Sequence, residues 1–126
     1  MSNEKNLVKI KKSKNSNTIF GLPAKSYIDE DFWKNECETV LSNGWLFVGF
    51  VHELKKPGDV VALFIANKPV LLVKNNNNEI TAFHNVCSHR NIKLVDESKN
   101  VGKIIRCPYH AWSYDLEGKL KAAPHI

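Results

Sequence analysis

Two cysteines and two histidines arrive in two short clips, Cys87-Ser88-His89 and Cys107-Pro108-Tyr109-His110, separated by residues 90–106. A thiolate is a soft ligand and an imidazole a borderline one. Together they suit zinc, or iron bound with inorganic sulfide, and do not suit calcium or magnesium. A structural zinc site commonly draws two cysteines from one knuckle and two histidines from one helix. Here each clip mixes the two types, and neither reads as helical. A disulfide between Cys87 and Cys107 leaves both histidines unexplained. The reading that employs all four is a cluster of two irons and two sulfides, with two thiolates on one iron and two neutral imidazoles on the other. Zinc, a disulfide and a chance coincidence of ligands stand behind it as alternatives. Exchanging two anionic thiolates for neutral imidazoles removes negative charge, so an added electron meets less repulsion. Such centres span about −150 to +300 mV, against about −400 mV for all-cysteine plant-type clusters.

The elements that must position these clips read as short strands. Residues 45–51 are aromatic and β-branched and predict a strand. Pro57-Gly58 predicts a turn, residues 59–66 a second strand and residues 69–74 a third, with a turn at Asn67-Lys68 between them. Four asparagines, Asn75 to Asn78, tolerate turn dihedrals and predict a hairpin tip leading into residues 79–84. The strand ending at His84 delivers the chain to the first clip. Residues 90–100 show little periodicity and read as irregular, residues 103–106 lead into the second clip, and residues 112–116 leave it for a turn at Glu117-Gly118. Each clip therefore sits at a strand end. The two clips read as alike in purpose only, with no internal repeat.

Upstream, Asp29 offers an N-cap to a helix whose Trp33, Cys37, Val40 and Leu41 share one face and which should close near Asn43-Gly44 through a left-handed glycine. Cys37 reads as a packed free thiol. Residues 1–26 form a polar leader, expected to be disordered, whose Lys5, Lys9, Lys11, Lys12 and Lys14 carry much of the formal charge of +5. That charge belongs to a tail, and the rest of the chain has no basic helical stripe, so neither nucleic acid nor membrane is an expected partner. The 43% apolar and 25% charged fractions are ordinary for a globular domain, no stretch has the length of a membrane span, and no apolar core of a signal peptide follows the leader. An odd number of cysteines fits a reducing compartment, so the expected location is the cytoplasm.

Cys87-Ser88-His89-Arg90 and the run from Cys107 through His110, Ala111, Trp112, Ser113 and Tyr114 resemble the cluster loops of Rieske domains, specifically those of ring-hydroxylating and related Rieske non-haem iron oxygenases. Gly44-Trp45-Leu46-Phe47-Val48-Gly49, Pro57-Gly58-Asp59, Pro69-Val70-Leu71 and Ala82-Phe83-His84-Asn85-Val86 are similar to the opening of an oxygenase large subunit. The resemblance implies a mainly β fold: an antiparallel β-sandwich with a cluster-binding subdomain and one N-terminal helix, over residues 27–126. It implies one [2Fe-2S] cluster, with Cys87 and Cys107 on a buried iron and His89 and His110 on an outer one. Arg90, Trp112 and Tyr114 are expected around the cluster, where they limit water and tune it. His52, His84 and His125 are expected to bind no metal.

Rieske proteins of cytochrome complexes carry an extra loop disulfide and a serine that donates to a cluster sulfide; here Ile92, Tyr109 and Trp112 stand at those places. Fewer donors to sulfur imply a potential at the low end of the Rieske range. Asn91 and Ala111 stand where the oxygenases usually or frequently have glycine, and asparagine is the next best residue for a left-handed backbone.

The resemblance further implies an electron relay with no catalytic residue of its own in this chain. A flavin reductase or a ferredoxin would donate electrons. The acceptor would be a mononuclear Fe(II), held by two histidines and a carboxylate in a C-terminal oxygenase domain that these 126 residues do not include. Trimers are usual in the family. A free-standing Rieske ferredoxin is the competing reading. It is disfavoured because carriers usually begin close to the first strand, whereas here a helix and Trp45 precede Pro57-Gly58.

Overall fold

The computed structural model describes residues 21–124 and divides the chain into two units, Met1–Asn43 and Gly44–Ile126. Most of the expected leader therefore lies outside the described residues, as does His125. Among the described residues no helix is long and apolar enough to cross a membrane.

In the first unit a 3₁₀ turn, Ala24–Tyr27, precedes helix α1, Glu30–Glu36. Asp29 is its N-cap, accepting from the Phe32 N–H at 2.9 Å. That hydrogen bond, followed by the Lys25 ammonium 3.2 Å away, holds the Asp29 carboxyl below its ordinary pKa. The helix then widens into a π-helical stretch, Cys37–Leu41. It ends where the sequence predicts, by a different device. The Ser42 hydroxyl donates to the Cys37 carbonyl at 2.6 Å, and the Asn43 amide donates to the Glu38 and Thr39 carbonyls. These side chains reach back four or five residues and satisfy the carbonyls that a left-handed Gly44 would have served. Cys37 is buried, while Trp33 and Val40 on the same face are exposed.

In the second unit the strand expected over residues 45–51 is not formed. The segment runs unpaired to a 3₁₀ turn, Val51–Glu53, and Trp45 and Phe47 project outward. Strand propensity reflects a fit to a half-buried pleated surface, and among the described residues no neighbouring strand pairs with this segment.

Four strands make the larger antiparallel sheet: β1 (Asp59–Ile65), β2 (Lys68–Lys74), β3 (Ile80–His84) and β4 (Lys99–Asn100), in the order β3-β2-β1-β4. The β1–β2 turn falls one residue earlier than the sequence suggests, on Ala66 and Asn67, both at positive φ. A two-residue turn of that kind matches the twist of the flanking strands. At the next tip Asn75 Oδ1 accepts from the Asn77 and Glu79 N–H groups, each at 2.9 Å, so the asparagine run is an ordered hairpin end. Strand β4 interrupts a stretch expected to be irregular. Asn100 anchors it by donating to the Asp59 carboxylate at 2.7 Å. Gly58 permits the approach, since a Cβ there would run into the Gly102 carbonyl.

The smaller sheet contains β5 (Ile105–Arg106), β6 (Ser113–Tyr114) and β7 (Leu120–Ala122), with β6 central. One core joins both sheets: Val60, Leu71 and Val73 from the first and Ile105, Tyr114 and Leu116 from the region of the second, closed by Val95. Cys87 and Cys107 belong to the same cluster of buried residues.

Candidate metal centre

Each clip caps a short antiparallel pairing. Val86 bridges Lys93 around the first clip, and Arg106 pairs with Ser113 around the second. Inside those frames the backbone repeats itself. The Cys87 carbonyl accepts from Asn91 N–H at 2.9 Å, and the Cys107 carbonyl from Ala111 N–H at 3.1 Å. The Cys87 N–H donates to the Ile92 carbonyl at 2.7 Å, and the Cys107 N–H to the Trp112 carbonyl at 2.8 Å. Asn91 and Ala111 occupy the same place in the two loops and are both left-handed, with φ of 54° and 58°. The clips thus share a backbone design as well as a purpose, which the different cysteine-to-histidine spacing conceals. Asparagine meets the dihedral with little strain; alanine meets it against the clash of its Cβ.

This geometry sorts the four candidate ligands. Cys87 and Cys107 are 1% and 4% exposed, belong to one buried cluster and form no disulfide. The His89 and His110 rings meet with centroids 4.9 Å apart. His89 comes one residue sooner after its cysteine than His110 does, yet the rings converge from opposite loops. Nδ1 of His110 is buried. Among the described residues no three His, Cys, Asp or Glu side chains gather as around a single ion. The set is a buried thiol pair beside a half-buried imidazole pair.

Neighbouring aromatic residues lock this arrangement. The Trp112 indole lies face to face on His89, with centroids 4.6 Å apart and planes 6° from parallel, and Tyr109 covers His110 at 3.7 Å. The Tyr114 hydroxyl stands 3.2 Å from Cys87 Sγ and 2.9 Å from Ser88 Oγ, and accepts the Ser88 N–H at 3.2 Å. Burial pushes the Cys87 thiol up, but hydrogen bonds from Tyr114, the His89 N–H, Cys107 and the Arg90 N–H outweigh it and leave Cys87 more acidic than an ordinary thiol. The same contact acts oppositely on its partner: burial, then the Cys87 sulfur, raise the Tyr114 hydroxyl above its usual pKa. Arg90 contributes through its backbone N–H, and its side chain is exposed.

One positioning residue went unnoticed in the sequence. Asn85 is completely buried, and its amide pairs with Val95 like one more rung of a ladder, donating to the Val95 carbonyl at 2.7 Å and accepting its N–H at 3.0 Å. This clamp closes the base of the first loop. A polar residue set between a strand and a buried cysteine was the available signal. His84 is an exposed strand-end residue lining a cavity with Phe83, Leu94 and Tyr114, and His52 stacks near Phe50 at 5.4 Å.

Residues 44–126 match the family described as Rieske [2Fe-2S] domain. The chain belongs to that family. Relatives of this Rieske domain are subunits of oxygenases. The glycine betaine monooxygenase oxygenase subunit of Pseudomonas aeruginosa (strain UCBPP-PA14) is 36% identical over 102 residues, covering 80% of this chain and 24% of that protein. The chlorobenzene dioxygenase subunit alpha of Cupriavidus sp. (strain PS12) is 36% identical over 98 residues, covering 78% and 22%. A crystal structure of the apo form of the quaternary ammonium Rieske monooxygenase CntA superposes with a TM-score of 0.76 at 29% identity, covering 82% of this chain and 30% of that one. The chain thus spans about a quarter of the length of the curated relatives it matches. The mainly β, antiparallel Rieske-type fold expected from the sequence is the fold found.

Proposed function

We propose that Cys87 and Cys107 hold one iron and His89 and His110 the other iron of a [2Fe-2S] cluster, and that the chain is the Rieske part, residues 27–126 behind a leader at 1–26, of an oxygenase large subunit. The observation that carries this reading is the sorting of the four side chains into a buried thiol pair and a separate imidazole pair, as one iron with two thiolates and one with two imidazoles requires. When bound, the cluster supplies a one-electron carrier.

The protein's own groups fit that task. An acidified Cys87 reaches the thiolate, the form that binds metal, more readily than an ordinary cysteine. The buried Nδ1 of His110 is a nitrogen of the kind that binds iron. Trp112 and Tyr109 pack against the imidazole rings and limit their freedom to turn. Tyr114 donates toward Cys87 Sγ, which favours the more negative, reduced state.

The relatives support a place in an oxygenase; within it, this reading has electrons enter from a flavin reductase or a ferredoxin and pass to a mononuclear iron in a further catalytic domain, where an organic substrate is hydroxylated. A trimer in the cytoplasm is the expected setting. The test is the electron paramagnetic resonance spectrum of the iron-loaded, dithionite-reduced chain. A mixed-valence signal is expected in the wild type and in Cys37→Ala, and its loss in His89→Ala and His110→Ala. A signal that survives both histidine substitutions refutes the ligand assignment.

A further inference from the structure

The second clip carries a hydrogen-bond donor that the protein itself does not satisfy. Trp112 Nε1 is buried, and among the described residues it has no hydrogen-bond partner. Native structures seldom keep a buried N–H in that condition unless water, an ion or a bound group supplies the acceptor. The rest of the residue is firmly held. Its carbonyl accepts from Cys107 N–H at 2.8 Å, and its ring lies flat on His89. The indole therefore spans from the loop of one cysteine to the imidazole of the other loop. No side chain among the described residues provides an acceptor for its N–H.

We infer that the Trp112 indole N–H donates a hydrogen bond to a sulfur of the bound cluster and thereby sets its reduction potential. The inference rests on the proposed function. It alters one expectation drawn from the sequence: the donor missing with the serine at this position is replaced by a longer side chain rooted at the same place. A donor to sulfur stabilises the reduced form, because reduction adds negative charge. Stacking on His89 is a separate role of the same ring, and substitution separates the two. Trp112→Phe keeps an aromatic face for His89 and removes the N–H, whereas Trp112→Leu removes both.

The experiment is a redox titration of the iron-loaded wild type and both variants, with pulsed electron–nuclear measurements on the reduced cluster after exchange into D₂O. At a fixed ambient potential, Trp112→Phe is expected to lower the reduced-to-oxidised ratio about tenfold, a downward shift of about 59 mV for one electron, with Trp112→Leu shifted at least as far. A strongly coupled exchangeable deuteron, present in the wild type, should vanish in both variants. An unchanged potential and deuteron coupling in Trp112→Phe, or a shift confined to Trp112→Leu, overturns the inference and leaves the cluster assignment standing. Should Trp112→Phe fail to load iron, wild type carrying ¹⁵N-labelled indole decides: hyperfine coupling to that nitrogen supports the inference, and its absence overturns it. A wild-type chain that gives no mixed-valence signal overturns the proposed function and this inference with it.

Discussion

Replacing Asn85 with alanine should damage the loop that carries Cys87 and His89 more than any surface change of similar size. The side chain is fully buried and makes two hydrogen bonds to the backbone of Val95, itself only 2% exposed. Net, two such bonds contribute about 1 kcal/mol each. Truncation also leaves the Val95 N–H and carbonyl buried without partners, at about 1–3 kcal/mol for each stranded group. Partial relaxation shares these terms, and a loss of about 3–5 kcal/mol is expected, a large fraction of the roughly 5–15 kcal/mol that domains possess. Urea unfolding followed by tryptophan fluorescence, at equal metal occupancy, measures it. With a slope of about 1–3 kcal/mol per molar, the midpoint should fall by roughly 2 M while the slope stays constant. Asn85→Asp adds a control. It keeps an acceptor for the Val95 N–H but loses the donor and buries a charge, so its carboxyl pKa should rise and its deficit should shrink as the pH falls and the acid becomes neutral. A loss below about 1 kcal/mol for Asn85→Ala, or an Asp variant that weakens on acidification relative to wild type, refutes the clamp.

Tyr114→Phe removes the hydroxyl 3.2 Å from Cys87 Sγ and should lower the cluster potential by tens of millivolts, on the scale of about 59 mV per tenfold change in equilibrium; a redox titration reads it. Ala111→Gly relieves a left-handed alanine at φ 58° and should raise the thermal midpoint, with a net gain of about 0.5–1 kcal/mol after glycine's larger unfolded-state entropy is subtracted. The Asp59 carboxyl is held below its ordinary value, first by the Asn100 amide and then by the Lys56 N–H. Its stabilising contribution is therefore complete above the unfolded pKa of 3.8 and lost as the pH falls through the lower folded value. Denaturant midpoints of wild type and Asp59→Ala should accordingly differ by a constant amount near neutrality and converge in acid.

Legibility tracked how local the cause was. The clips were plain because ligand chemistry is written in residue type and spacing, and the hairpins around the Asn75 to Asn78 tip were plain because the turn dihedrals are local. Residues 45–51 misled because strand propensity cannot name a pairing partner. Strand β4 was missed for the opposite reason: Lys99 and Asn100 have no periodicity and become a strand only through Asp59 and Val60. The kinship of the two loops was hidden because it resides in carbonyl-to-amide offsets and in paired left-handed residues, whereas the eye compares histidine positions. Asn85 was invisible as a clamp since its partner, Val95, lies beyond the entire first loop.

The braces on the two clips also impose an order on their making. The second loop is the tip of a short hairpin and draws its backbone bonds from its own vicinity. Both aromatic braces on the first loop come from later in the chain: Trp112 onto His89 and Tyr114, 27 residues after its partner, onto Cys87. On the ribosome, then, the first clip is complete while the residues that orient it are still unmade. Until the second loop has emerged and folded back, Cys87 lacks the Tyr114 hydroxyl that stands 3.2 Å from its sulfur in the finished fold. The first loop thus takes its finished surroundings from residues made after it, Trp112 and Tyr114 among them.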